Sequence, residues 1–90
     1  MSAVNVTVEF LGIVRRRAGC ESARFHAETL QQLWTAVGMK FPELEGTCLL
    51  KGQLQPGFLA SVGGLRFTRS TTFKLSEGDH VLLLSADAGG

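Results

Sequence analysis

Few side chains in this 90-residue sequence have the chemistry of catalysis. Cys20 and Cys48 are the candidate nucleophiles and His26 and His80 the candidate bases, and a thiol hydrolase needs one of each held in contact. Neither cysteine has a histidine near it in sequence. Two thiols are also too few for a zinc site or a disulfide framework, so both read as unpaired, buried or bystander groups. His26 falls on the polar side of an early strand pattern and His80 beside a turn, positions of solvated or locally satisfied imidazoles. Two basic clusters, Arg15 to Arg17 and Arg66, Arg69 and Lys74, suit either plain surface or the docking of an acidic partner or a nucleotide phosphate. No Walker loop or dinucleotide-binding glycine pattern is present, because no helix pattern follows Gly63 and Gly64.

What remains is the last stretch, Ser85, Ala86, Asp87, Ala88, Gly89 and Gly90. These small residues reach about 20 Å when extended, at roughly 3.3 Å per residue, with no side chain large enough to pin them. Two glycines without a Cβ fit a channel too narrow for alanine. Such a stretch is either a frayed terminus or a slender arm whose reacting group is its own carboxylate.

The elements that would hold this arm are legible upstream. Val4, Val6, Val8 and Phe10 alternate with Asn5, Thr7 and Glu9, the period of a strand with one buried face. Arg15 to Gly19 read as a charged connection, after which Ala23, Phe25 and Ala27 form the second strand of a hairpin. Thr29 and Gln32 have capping-box spacing and open a helix. Leu30, Leu33, Trp34, Val37 and Phe41 give that helix one apolar stripe, and Pro42 stops it. Gly38 is expected to weaken its last turn and let the end fray. Cys48, Leu49 and Leu50 suggest a short third strand. Phe58, Ala60 and Val62, a Gly63-Gly64 turn, and Leu65, Arg66 and Phe67 predict a second hairpin.

Glu77, Gly78 and Asp79 make a turn before the run His80, Val81, Leu82, Leu83 and Leu84, which predicts the final strand. A nearly continuous apolar run fits a central strand covered on both faces or one whose outer residues serve an interface. One helix cannot cover both faces of a sheet. If Val81 and Leu83 face the helix, Leu82 and Leu84 face away, either as an interaction surface or as satellite core under the middle loop.

The chain is thus expected to be one α+β domain over residues 1–84, a sheet packed on one main helix, with residues 85–90 as an extended tail. Nine basic against eight acidic side chains give a net charge of +1, too weak a field to draw the chain to nucleic acid. No apolar run of about 18 residues and no leader pattern occur, so neither membrane insertion nor export is expected and a cytoplasmic location follows.

Taken together, the opening strand ending at Phe10, the Thr29-Leu30 helix start, Leu33, Phe41-Pro42, Val62 and Gly64, Leu75, Gly78-Asp79, Val81 and Gly89-Gly90 resemble the molybdopterin-synthase small subunit and thiamine-biosynthesis sulfur-carrier family. Those proteins are ubiquitin-like β-grasp domains ending in Gly-Gly, which implies a mixed sheet packed on one main helix. The chain departs from the family pattern at Gly63, where asparagine is common, and at Ser85 and Ala86, where prolines often stand. The resemblance implies a sulfur carrier with no catalytic site of its own and no bound cofactor or metal. Its Gly90 carboxylate would be converted by an E1-like adenylyltransferase and sulfurtransferase, using ATP, first to an acyl-adenylate and then to a thiocarboxylate. Gly89 would permit threading, Leu82, Leu84, Asp87 and Ala88 would form the partner interface, and the large subunit of molybdopterin synthase would receive the sulfur for dithiolene formation. Sulfur delivery to thiazole, cysteine or transfer RNA, conjugation to lysines, and a non-catalytic β-grasp binding module are the alternatives. A plant-type iron–sulfur carrier is excluded, since it needs four cysteines.

Overall fold

The computed structural model describes residues 3–64 and 66–86. The first strand is β1 (Val4–Phe10), whose even-numbered residues from Val6 to Phe10 are buried. A short helix, α1 (Gly12–Ala18), follows where a charged connection was expected. Its cause is local: Val14 is fully buried, Ala18 one turn later packs against the same core, and three arginines complement the negative end of the helix. Gly19 then stops it in the left-handed region at φ 81, with its N–H on the Arg15 carbonyl at 2.9 Å. After this turn, β2 (Ser22–Ala27) pairs antiparallel with β1.

The main helix, α2 (Leu30–Lys40), starts as the sequence predicts. Gln32 N–H donates to Thr29 Oγ1 at 3.3 Å, while Gln32 Oε1 accepts from Glu28 N–H at 2.8 Å, one residue further back than in the usual capping box. The next two orphan amides are also satisfied, because Leu30 and Gln31 donate to the carbonyls of Phe73 and Thr71, each at 3.0 Å. Leu30, Leu33, Trp34 and Val37 are buried, and Phe41 caps the last turn through Val37. The helix ends just ahead of Pro42, as the sequence predicts. It runs on to Lys40, and Gly38 is buried where a Cβ would overlap Glu45 Oε1. Glycine serves close approach here.

Two short strands, β3 (Leu49–Leu50) and β4 (Gln53–Leu54), form a separate hairpin under α2. Cys48 lies just before β3 instead of within it, its N–H bonded to Leu44 O at 2.9 Å in a preceding turn. The second large hairpin joins β5 (Phe58–Val62) to β6 (Arg66–Thr68). Gly63 and Gly64 between them take φ values of 68 and 70, conformations that strain any residue with a side chain. Leu65 lies outside the described residues.

The final strand, β7 (Asp79–Ser85), takes in Ser85, which the sequence alone places in the tail. It occupies the middle of a five-stranded mixed sheet of order β2-β1-β7-β5-β6, parallel to β1 and antiparallel to β5. Val81 and Leu83 are fully buried against the helices. Asn5 ties the turn before β7 to β1, its backbone N–H and side-chain amide each donating to Glu77 at 3.0 Å.

Candidate docking face and tail

Strand alternation sends Leu82 and Leu84 to the sheet face opposite the helices, where both are half-buried. The register decides their neighbours. Leu82 stands between Glu9 on β1 and Ser61 on β5, and Leu84 stands beside Leu59. Ser61 is in turn paired with Phe67, which is 60% exposed. The result is an apolar strip of Leu59, Leu82, Leu84 and Phe67, running toward the end of β7. Leu59 and Phe67 were missed in the sequence because face membership depends on strand register, which local alternation alone does not supply. His80 and Glu9 border the strip, with Nε2 2.8 Å from Oε1.

At the end of the strip, Ser85 pairs with Phe58, and Ala86 N–H donates to Gly57 O at 2.7 Å. The chain is therefore held to the sheet as far as Ala86. Asp87, Ala88, Gly89 and Gly90, the residues expected to carry the reacting group and part of the interface, lie outside the described residues.

The other candidate groups do not converge. Cys48 is buried, and burial pushes its thiol pKa up, opposed in smaller measure by Thr47 and Arg17. Such a thiol is held in its unreactive protonated form. Cys20 is half-buried with Sγ 3.6 Å from Ser22 O. His26 Nε2 bonds to Ala3 O at 3.0 Å and His80 to Glu9, so each imidazole is satisfied locally and neither meets a thiol. Arg69 is a brace, not a free docking cation: it donates to the carbonyls of Phe58 and Leu54. Arg15 pairs with Glu21 at 2.6 Å. Among the described residues no cluster of three or more His, Cys, Asp or Glu is placed to hold a metal, and no helix is long and apolar enough to cross a membrane.

The parallel β1–β7 pair at the centre, a hairpin on either side and a helix across one face define a ubiquitin-like β-grasp domain. No protein-family model matches the sequence, and no curated protein matches it. Solved structures do match in fold. Small archaeal modifier protein 1 (SAMP1) from Methanosarcina acetivorans superposes with a TM-score of 0.82 at 19% identity over 100% of both chains. A chain of the Amycolatopsis orientalis BexX/CysO complex gives 0.78 at 21% identity, over 94% of this chain and 99% of that one. A Pyrococcus furiosus protein provisionally described as molybdopterin converting factor, subunit 1, gives 0.75 at 16% identity, over 93% and 99%. These matches share the fold over nearly the whole of both chains, so the resemblance read from the sequence holds at the level of fold.

Proposed function

We propose that this protein is a sulfur carrier whose reacting group is the carboxylate of Gly90 and that it serves molybdopterin synthesis. The observation that carries the reading is the geometry around β7. A strand bonded on both sides hands the chain over at Ala86, next to an apolar strip, and the slender Gly89-Gly90 pair follows. A partner seated on Leu82 and Leu84 would receive the tail directly into its own site. The body offers no nucleophile–base pair among its described residues, which suits a molecule that delivers an atom while its partner performs the catalysis. In the proposed sequence the Gly90 carboxylate attacks the α-phosphorus of ATP in an activating enzyme and releases pyrophosphate. A donor persulfide then attacks the acyl carbon and AMP leaves, and a second thiol cleaves the resulting acyl disulfide, releasing the thiocarboxylate and carrying the donor's remaining sulfur away as a disulfide. Adenylation supplies the leaving group, and the product thiocarboxylate is a stronger nucleophile near neutrality than the carboxylate it replaces.

The test is mass spectrometry after incubation with an activating enzyme, ATP and a sulfur donor. Cleavage after Lys74 yields Leu75–Gly90, which contains no methionine. A gain of about 16 Da on that fragment is then oxygen replaced by sulfur, not methionine oxidation, which adds nearly the same mass. An unmodified fragment from a competent cognate enzyme refutes the carrier reading. Presenting the loaded protein to each acceptor in turn, with a pterin precursor and synthase large subunit first, separates the molybdopterin route from thiazole, cysteine, transfer RNA and lysine conjugation.

A further inference from the structure

Strand β2 is an outer strand, paired with β1 and, among the described residues, with no other strand. In an antiparallel ladder, residues that exchange bonds with the neighbour alternate with residues whose backbone groups point outward. Phe10 N–H donates to Glu21 O at 2.8 Å, which sets the phase. Ala23, Phe25 and Ala27 therefore bond to β1, while Ser22, Arg24 and His26 turn their N–H and C=O groups toward the open edge. The Ser22 carbonyl already receives Cys20 Sγ, so Arg24 and His26 are the centre of that edge.

The side chains flanking the edge differ in character on its two sides. On the helix side Phe25 is half-buried, its ring centroid 6.5 Å from that of Phe41, with Lys40 Nζ 5.9 Å above it. On the opposite side Arg24 is exposed. The two ion pairs among the described residues are Arg15 with Glu21 and His80 with Glu9, so Arg24 and Lys40 are both uncommitted to an acid. Glu77 lines the same cleft as Arg24, but its carboxylate is occupied by Asn5. The edge thus offers unpaired ladder groups, an aromatic step and two cations without an acidic partner among the described residues, Arg24 on one side and Lys40, stacked over Phe25, on the other.

We propose that the β2 edge accepts an extended segment of a partner protein as a sixth strand, with apolar residues alternating with carboxylates. Side chains of an added strand alternate between the two faces. Apolar ones then lie beside Phe25 and Phe41, acidic ones stand next to Arg24, and an acid at the segment's end meets Lys40. Backbone bonds supply affinity and the alternation supplies selectivity, as in strand-addition complexes generally. This surface is separate from the strip of Leu82 and Leu84, so the proposal does not depend on the carrier reading.

The experiment is an NMR titration of the isotope-labelled full chain with a blocked peptide, as long as β2, that alternates valine and glutamate. Saturable shifts at Phe25 and Lys40, with slowed amide exchange at Arg24 and His26, are expected. Arg24→Glu should weaken binding about tenfold or more, since it places like charges side by side. The same peptide methylated on the amide nitrogens that face β2 should lose binding. Equal binding by the methylated peptide would reduce the effect to charge attraction and overturn strand addition. The proposal also fails if a valine–lysine peptide binds as well, if the shifts centre on Leu82 and Leu84, or if no saturable binding is seen.

Discussion

Gly38→Ala puts opposing effects on one atom and lets the structure decide between them. In an unconstrained helix interior the change stabilises by about 0.8–1 kcal/mol, because alanine loses less backbone freedom on folding. At this site the new methyl overlaps Glu45 Oε1, and Glu45 Oε2 accepts the Lys51 N–H at 3.1 Å. Lys51 holds a left-handed backbone angle, φ 52, in the β3–β4 turn. To admit the methyl the carboxylate must swing away and release that amide, which costs about 1–2 kcal/mol at an exposed, charge-assisted bond. The single substitution should therefore be neutral or destabilising by up to about 1 kcal/mol. In a Glu45→Ala background the bond is already absent and the nearest remaining atom, the residue 45 Cβ, is 3.7 Å away. There the same substitution should stabilise by about 1 kcal/mol, giving a coupling of about 1–2 kcal/mol across the cycle. Urea unfolding followed by the fluorescence of Trp34, the one tryptophan and a buried one, reads each midpoint. Additivity within about 0.5 kcal/mol would show that Glu45 does not set the requirement for glycine.

Leu33→Ala should cost about 2–5 kcal/mol in the same unfolding assay, as Leu33 is completely buried between helix and sheet. Leu82→Asp should lower the unfolding midpoint, since it sets a second carboxylate beside Glu9, without unfolding the domain, and should weaken calorimetric binding to a large subunit or activating enzyme; unchanged affinity would remove this face from the interface. Glu77 has its carboxyl pKa lowered first by the Asn5 backbone N–H and then by the Asn5 side chain. A depressed acid stabilises the fold above its unfolded pKa, and that contribution is lost as the pH falls through the folded value, so Glu77→Gln should flatten the acid limb of the stability profile. Cys48 shows the reverse linkage, since a raised thiol pKa stabilises below the unfolded value near 9.0 and is lost as the pH climbs above it. At neutral pH, mass-resolved alkylation should accordingly reach Cys20 well before Cys48; equal rates would contradict the burial argument.

Elements that bury one face at a fixed period were legible before the structure. The β1 alternation, the Thr29 cap and the Leu30 to Val37 stripe each carry their own signal over a few turns or residues. Helix α1 was not, because three consecutive arginines mask a stripe that consists of little more than Val14 and Ala18. Its clearest trace in the sequence is Gly19, a stop signal with no start signal before it. The roles of Gly38 and Arg69 were hidden for a different reason: each depends on a residue distant in sequence, Glu45 for the glycine and the carbonyls of Leu54 and Phe58 for the arginine. The docking strip was half-legible, since alternation within β7 picks out Leu82 and Leu84 whereas Leu59 and Phe67 join them only through cross-strand register.

The position of β7 also governs the order in which the molecule can be assembled. Until residues 79–85 arrive, the sheet consists of two hairpins, β2 with β1 and β5 with β6, each able to form locally within microseconds. Their union waits for Val8 to find Val81 and for Ala60 to find Leu83. During synthesis, which delivers the N-terminal part first, this joint is the last to close. A chain interrupted before Asp79 leaves the inner edges of β1 and β5 bare, the kind of edge that invites aggregation and proteolysis. Completion is thus checked by topology itself: a chain that stops short of β7 lacks the one strand that joins its two hairpins into a sheet.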